Sequence, residues 1–199
     1  MSMVVVFGGS FNPIHIGHTE IIEQICNIED VDKVIIIPTK IPPHKELDYL
    51  ADAHHRLNMC KLATAKFNKV EVSDLELKRD GKSYTIDTIK SLEKEHKNQK
   101  LALTIGGDML VSFNKWKDYE QILKKCTLIT FKRVGISSFD YFKEINNLKE
   151  LGADIISIET EISDVSSTQI RNELKNNIDI LFLDSAVKKY IIANNLYGV

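Results

Sequence analysis

Short apolar runs alternate with amphipathic segments along most of this chain. Six runs predict strands, at 3–7, 34–37, 70–72, 101–105, 128–131 and 155–158. After the first strand, Ile21, Ile22 and Ile25 share one face of a helix. Further helices are predicted at 53–66, 85–97, 119–124, 139–151, 168–175 and 184–194. This alternation predicts an α/β fold with one domain over residues 1–199. We expect a doubly wound, mostly parallel sheet with helices on both faces and two closing C-terminal helices.

Composition excludes one class of partner. The chain has 199 residues, 43% of them hydrophobic and 27% charged, which is typical of a soluble globular protein with one sizeable core. Its net charge of −2 gives the chain no overall basic charge that would attract a polyanion. We therefore expect no nucleic-acid partner and only local binding of phosphate.

Cysteine usage and the length of the apolar runs bear on the compartment. Cys26, Cys60 and Cys126 are widely spaced and form no C-x-x-C, which argues against a disulfide framework or a zinc ribbon. No signal-peptide pattern precedes the first strand, and no apolar run reaches membrane length. We therefore expect a cytoplasmic protein without a membrane partner, and the sequence leaves a homo-oligomer open.

The most informative stretch is the H-x-G-H turn, defined here as residues 8–18, G-G-S-F-N-P-I-H-I-G-H. Gly8 and Gly9 allow a tight turn and close approach of the backbone to a ligand. His15 and His18 lie on one face of the first helical turn, where free N–H groups and the helix dipole favour a phosphate. Half of a metal site and a purely structural turn are the alternatives. The motif contains no Cys, Asp or Glu that would complete a zinc shell.

Two further segments of the first half carry candidates. The first follows the second predicted strand, and parallel sheets bind ligands beyond the carboxyl ends of their strands. The loop 38–45, P-T-K-I-P-P-H-K, ends in His44 and Lys45, and taken alone it is more typical of a solvated surface loop. S-Y-T at 83–85 precedes a predicted helix, for which Thr85 is a good N-cap.

The second half of the chain carries four more candidates. Asp108 follows a glycine turn, where a carboxylate can bind ribose hydroxyls or hold a neighbouring loop. Trp116 offers a flat surface to an aromatic ring or packs against the protein. A basic pair, K-R, follows the fifth strand at 132–133. The segment 164–171, D-V-S-S-T-Q-I-R, first indicates helix capping. Its hydroxyls and Arg171 also make a second helix N-terminus able to hold polyphosphate.

These motifs together resemble one known family. H-x-G-H near the start and S-S-T-x-I-R near the end resemble signatures of the nucleotidyltransferase superfamily. With P-P-H-K, S-Y-T and G-G-D in the same order, the chain resembles the bacterial nicotinate-nucleotide adenylyltransferases over nearly its whole length. The resemblance implies a Rossmann-like nucleotidyltransferase fold. The chain departs from the family mildly at Ser10, Asn12 and Val165, where Thr, Asp and Ile are the family residues.

The resemblance implies an adenylyl transfer in NAD biosynthesis. The phosphate of nicotinate mononucleotide attacks the α-phosphorus of ATP in line and gives nicotinate adenine dinucleotide and pyrophosphate. Transfers of this type are accelerated by alignment and charge stabilisation, without a nucleophilic side chain. Mg²⁺ is the implied cofactor. It is carried with ATP and keeps mostly water ligands, so no metal site of the protein's own is expected.

The resemblance also implies the site residues. The catalytic residues are His18 at the α-phosphate, His15 at the neighbouring ATP phosphates, Lys45 between the substrates and Arg171 on the departing phosphates. The implied ATP-binding residues are Gly8, Gly9, Ser10, Phe11, His15, His18, Gly106, Asp108, Ser167, Thr168 and Arg171. The implied residues binding nicotinate mononucleotide are Ser10, Asn12, Lys45, Thr85, Asp108, Trp116, Lys117 and Arg133, with His44 a weaker neighbour.

Two kinds of alternative remain open at the level of sequence. A phosphopantetheine adenylyltransferase or a cytidylyltransferase shares H-x-G-H, but these resemble shorter chains in which we do not expect P-P-H-K, S-Y-T and a tryptophan after G-G-D. A non-catalytic nucleotide-binding module would keep the glycine turn, but it would not need Lys45, His18 and Arg171 to converge.

Overall fold

The computed structural model of the protein describes residues 2–43, 49–132, 137–159, 162–176 and 180–199. Six strands of this part of the chain form one sheet: β1 (Met3–Gly9), β2 (Val31–Pro38), β3 (Val70–Val72), β4 (Lys100–Gly106), β5 (Cys126–Phe131) and β6 (Ile155–Ile158). Their order is β3-β2-β1-β4-β5-β6, and every neighbouring pair is parallel. The order reverses at β1, which is what a doubly wound sheet requires.

Helices connect the strands and close the chain. In the described residues they are α1 (Ile16–Cys26), α2 (Ala53–Thr64), α3 (Thr85–Glu95), α4 (Gly107–Leu110), α5 (Tyr119–Lys125), α6 (Ser138–Glu150), α7 (Ser167–Lys175) and α8 (Ser185–Ala193). Two short 3₁₀ turns, Phe113–Lys115 and Leu196–Gly198, complete the set.

Helices cover both faces of the sheet, and successive residues of a strand point to opposite faces, so most strand residues are buried. In β1, Val5 and Phe7 pack in the layer formed with α1, α2, α7 and α8, whereas Val4 and Val6 pack in the layer formed with α3 to α6. A strand covered on both sides has no polar face, which explains the continuous apolar run in the sequence. The predicted α/β class, with helices on both faces, is confirmed.

The observed elements differ from the predicted ones at a few positions. β2 begins at Val31, three residues before the predicted run. The prediction missed this start because the more exposed Asp32 and Lys33 interrupt the apolar pattern. Thr85 is the first residue of α3, and Tyr84 occupies the N-cap without a side-chain hydrogen bond, so the predicted capping role of Thr85 was wrong. The four-residue helix α4 was not predicted, because a single turn shows no periodicity.

Neither a disulfide nor a cluster of metal-binding side chains stabilises the described part of the fold. Cys26, Cys60 and Cys126 are all free, and burial raises the pKa of the Cys126 thiol to about 12. In the described residues, no group of three or more His, Cys, Asp and Glu side chains could hold a metal ion. No helix in the same residues is long and apolar enough to cross a membrane.

Candidate active site

The H-x-G-H turn leaves the carboxyl end of β1, at the centre of the sheet, and enters α1. His15 occupies the N-cap of α1 and is 3% exposed. Its backbone N–H donates to Nδ1 of His18 at 3.2 Å, and the centroids of the two rings are 3.8 Å apart. A neutral His18 that accepts at Nδ1 carries its proton on Nε2. It can therefore donate a hydrogen bond from Nε2 to a phosphate oxygen.

Phe11 supports this arrangement from the core. Its ring lies edge-on to His18, with 5.1 Å between centroids, and it is 1% exposed. The same ring fills the space beside Gly9, where a Cβ would come within 3.0 Å of it. The absence of a side chain at Gly9 therefore allows the Phe11 ring to pack closely. Gly8 is exposed near the carboxyl end of β1. Phe11 holds the site in place and does not line its surface.

The N-terminus of α7 contacts the H-x-G-H turn directly. The Ser167 hydroxyl donates to the carbonyl of Pro13 at 2.9 Å. Arg171 donates from Nη1 to the carbonyl of Asn12 at 2.8 Å and from Nη2 to the Thr168 hydroxyl at 3.2 Å. Two helix N-termini, two imidazoles and one guanidinium thus meet at one edge of the sheet, an arrangement suited to a polyphosphate.

Gly17 and Glu20 hold the segment before α7 against α1. The Glu20 carboxylate accepts from both the N–H and the hydroxyl of Ser163, each at 2.7 Å. A Cβ on Gly17 would lie 3.2 Å from the Ser163 carbonyl and 3.3 Å from the His15 ring. A side chain at this position would therefore push the Ser163 carbonyl or the His15 ring by a few tenths of an ångström, which explains the preference for glycine in H-x-G-H.

Replacing Gly17 with alanine should lower kcat/KM for ATP about 10-fold, because the methyl group displaces His15 or the segment that leads to α7. Unfolding temperature should change little, since alanine favours the helix and offsets part of the clash. Steady-state kinetics and thermal unfolding measure the two effects. Glu23→Ala, an exposed change in the same helix, is the control. Unchanged kinetics in folded Gly17→Ala would contradict the packing argument.

Asn12 is a buried hydrogen-bonding centre. It is 1% exposed, and its Nδ2 donates to the carbonyl of Tyr49 at 2.7 Å. Its Oδ1 accepts from the N–H of Ala51 at 3.1 Å and from the hydroxyl of Tyr197 at 2.9 Å. The Asn12 side chain therefore braces the turn and has almost no surface to offer a ligand.

Arg56, on α2, ties together the loops that follow β1 and β2. It is 1% exposed and donates from Nη1 to the carbonyls of Ser10 and Thr39, both at 2.8 Å. Its Nε donates to the carbonyl of Ala51 at 2.9 Å. Burial lowers the pKa of this guanidinium, and the carbonyl oxygens compensate its charge.

A second cluster lies in the layer of α3 to α6, at the same edge of the sheet. Lys117 Nζ lies 4.4 Å from the centroid of the Tyr84 ring and 3.9 Å from the Asp87 carboxylate, at the start of α3. Trp116 packs on Phe113 with 5.2 Å between ring centroids. The Lys117 contacts bring its side chain close to the helix start that Thr85 forms, and Trp116 precedes Lys117 in the chain.

Gly106 and Asp108 lie at the carboxyl end of β4 and the start of α4. Gly106 ends β4, the neighbour of β1, and Asp108 is exposed in the first turn of α4. The Asp108 carboxylate folds back so closely that a Cβ on Gly106 would lie 2.7 Å from its Oδ1. Gly106 is thus the position that lets this carboxylate reach over the end of β4.

The comparisons with known proteins decide the family. Residues 6–173 match a family described as cytidylyltransferase-like. A protein of Fusobacterium nucleatum named probable nicotinate-nucleotide adenylyltransferase is 41% identical over 190 residues, which cover 94% of this chain and 96% of the relative. A protein of Clostridium tetani with the same name is 39% identical, with 90% of each chain covered. The chain belongs to the nicotinate-nucleotide adenylyltransferase family.

A solved adenylyltransferase structure supports the fold. The Plasmodium falciparum nicotinic acid mononucleotide adenylyltransferase complexed with NaAD matches with a TM-score of 0.83 at 22% identity. The match covers 99% of this chain and 98% of that chain. The match confirms the predicted Rossmann-like nucleotidyltransferase fold. The resemblance to the adenylyltransferase family is confirmed separately, by the relatives at 41% and 39% identity.

Three of the residues implied by the adenylyltransferase motifs lie outside the described residues. They are His44 and Lys45 of P-P-H-K and Arg133 after β5.

The predicted site did not include Arg56, Glu20 and Tyr197. Their hydrogen bonds hold the H-x-G-H turn and its neighbouring segments in place. Arg56 gave a signal, since it shares a helical face with Cys60 and Ala63, where a charge is out of place. Glu20 and Tyr197 gave none, because each finds its partner more than 140 residues away, at separations of 143 and 185 residues.

Proposed function

We propose that this protein joins ATP and nicotinate mononucleotide to form nicotinate adenine dinucleotide and pyrophosphate. The observation that carries the proposal is the direct contact between the H-x-G-H turn and the N-terminus of α7, through Ser167 on Pro13 and Arg171 on Asn12. A site built from imidazoles, a guanidinium and helix N-termini stabilises negative charge on phosphates, which is the main demand of phosphoryl-type transfer.

In this proposal each group has one role. His18 donates from Nε2 to a non-bridging oxygen of the α-phosphate as charge builds during in-line attack. His15 and the glycine backbone at Gly8 and Gly9 contact the ATP phosphates. Arg171, with the α7 N-terminus, holds the β- and γ-phosphates that depart as pyrophosphate.

Enzymes of this kind generally use Mg²⁺ with ATP. The described residues that face the phosphates are hydrogen-bond donors, which suit an anion, so an ion arriving on ATP would keep phosphate and water as its ligands. When bound, it neutralises part of the phosphate charge.

Asp108 is the exposed carboxylate nearest in sequence to the end of β4, and we assign it to ribose hydroxyls.

The acceptor nucleotide is assigned to the cluster around Thr85, Trp116 and Lys117. The support for this assignment is the family motif S-Y-T together with an aromatic surface, a lysine and a helix start in one place. Lys45 is proposed to neutralise charge between the two substrates, and Ser10 and Arg133 are proposed to contact the acceptor.

Compartment and assembly rest on the sequence alone. We propose a cytoplasmic enzyme without nucleic-acid or membrane partners. The homo-oligomer stays an open prediction.

The purified protein should convert ATP and nicotinate mononucleotide to nicotinate adenine dinucleotide and pyrophosphate in the presence of Mg²⁺. Chromatography of both products tests this, with phosphopantetheine and with CTP and its acceptors as competing substrates. Turnover of one of these in place of nicotinate mononucleotide would overturn the proposal. ATP binding without pyrophosphate release would point to a non-catalytic module instead.

A further inference from the structure

The C-terminal 3₁₀ turn lies against the H-x-G-H turn. Tyr197 is 1% exposed, and its hydroxyl donates to Oδ1 of Asn12 at 2.9 Å. Tyr197 and Asn195 both have positive φ, 61° and 51°, a conformation that non-glycine residues adopt at a cost. Surrounding contacts must therefore hold this turn in place. One of them is the hydrogen bond from the Tyr197 hydroxyl to Asn12, a residue of the H-x-G-H turn.

Asn12 connects Tyr197 to the guanidinium of Arg171. The side chain of Asn12 accepts from Tyr197, and its backbone carbonyl accepts from Arg171 Nη1 at 2.8 Å. No carboxylate among the described residues lies within salt-bridge distance of Arg171, so the Asn12 carbonyl and the Thr168 hydroxyl set its orientation there. A shift of Asn12 moves the carbonyl that directs Arg171.

We infer that Tyr197 is a positioning residue for ATP binding: by fixing Asn12, it holds Arg171 in the orientation that grips the departing phosphates. The inference rests on the proposed function. Burial raises the pKa of the Tyr197 phenol, so the hydroxyl stays protonated and keeps donating at neutral pH.

Tyr197→Phe isolates this hydrogen bond, because the phenylalanine ring can keep the packing against Tyr49, whose ring centroid is 5.7 Å away. We expect KM for ATP to rise about 5-fold, the effect of one ordinary hydrogen bond, with KM for nicotinate mononucleotide unchanged. The unfolding temperature should fall by only a few degrees. A purely structural role would instead raise the KM values of both substrates alike, and this result would overturn the inference.

Tyr190→Phe is the matched control. The Tyr190 hydroxyl is also hydrogen-bonded: it accepts from Asn58 Nδ2 at 3.0 Å and pairs with His55 Nδ1 at 3.0 Å. These bonds join α8 to α2 and involve no residue of the H-x-G-H turn. This variant should keep both KM values. An equal rise of KM for ATP in the two variants would overturn the inference.

A double-mutant cycle with Arg171→Lys tests the route. If Tyr197 acts through Arg171, Tyr197→Phe should change ATP affinity less than 2-fold in the Arg171→Lys background. Fully additive effects would overturn the inference. Calorimetric titration with MgATP separates this result from the proposed reaction. A wild-type protein that forms no product refutes the reaction, while the four ATP affinities still decide the role of Tyr197.

Discussion

Replacing His18 with alanine should lower kcat by about 10²–10³, the usual loss for one preorganised donor to a developing charge. The structure supplies the reason, since the His15 N–H donates to Nδ1 of His18 and thereby leaves the proton on Nε2. Alanine removes that donor, and KM for ATP should change far less than kcat, because the helix N-termini and Arg171 remain.

His18→Ala also removes the acceptor for the His15 N–H, so two further variants separate the roles. His18→Asn keeps an oxygen near the position of Nδ1 but has no distal donor, and it should be as slow as alanine. His18→Gln places an amide N–H near the position of Nε2 and should recover part of kcat. His54→Ala, an exposed change on α2, is the control. A kcat within about threefold of wild type in folded His18→Ala would refute the catalytic role.

The protein should prefer nicotinate over nicotinamide mononucleotide by about 100-fold or more in kcat/KM, a preference that fits one mispaired polar group. The two acceptors differ only by carboxylate against amide, so donors must separate them. A carboxylate accepts at both oxygens, whereas an amide presents N–H groups to one of the same donors. Backbone N–H groups at the start of α3, the Thr85 hydroxyl and Lys117 can supply these donors.

Both acceptors competing in one reaction, with the product ratio measured, test this preference. Lys117→Gln should reduce the ratio, whereas Lys115→Gln, an exposed lysine two residues earlier, should not. Comparable yields from the two acceptors would refute the assignment of the acceptor cluster. Adenylyl transfer itself would stand, since it depends on the H-x-G-H turn and α7.

The sequence predicts the sheet well, because strands and their boundaries depend on local pattern. It also predicts which two segments form the site that we propose for the phosphates. Strands buried on both faces appear as short apolar runs, and β1 is the clearest example. The H-x-G-H turn and the start of α7 are recognisable because glycines and hydroxyls mark the ends of strands and helices. Their meeting follows from one topological rule, that parallel strands direct their following loops to one edge.

Contacts that depend on exact packing could not be predicted in this way. Thr85 has the chemistry of an N-cap, yet the backbone places Tyr84 there. Asn12 was assigned to the acceptor from its place in the motif, but in the structure its side-chain amide is taken up by Tyr49, Ala51 and Tyr197. Such bonds join distant parts of the chain, and no local period or propensity reports them.

The separation of these partners along the chain has a consequence for protein synthesis. The H-x-G-H turn is made first, yet its contacts with Ser167, Arg171 and Tyr197 span 154, 159 and 185 residues. A nascent chain on the ribosome therefore holds the histidines early but completes the surroundings of Asn12 only when Tyr197 emerges. ATP, which stabilises whatever state binds it, would then add its stabilisation only after these contacts have formed.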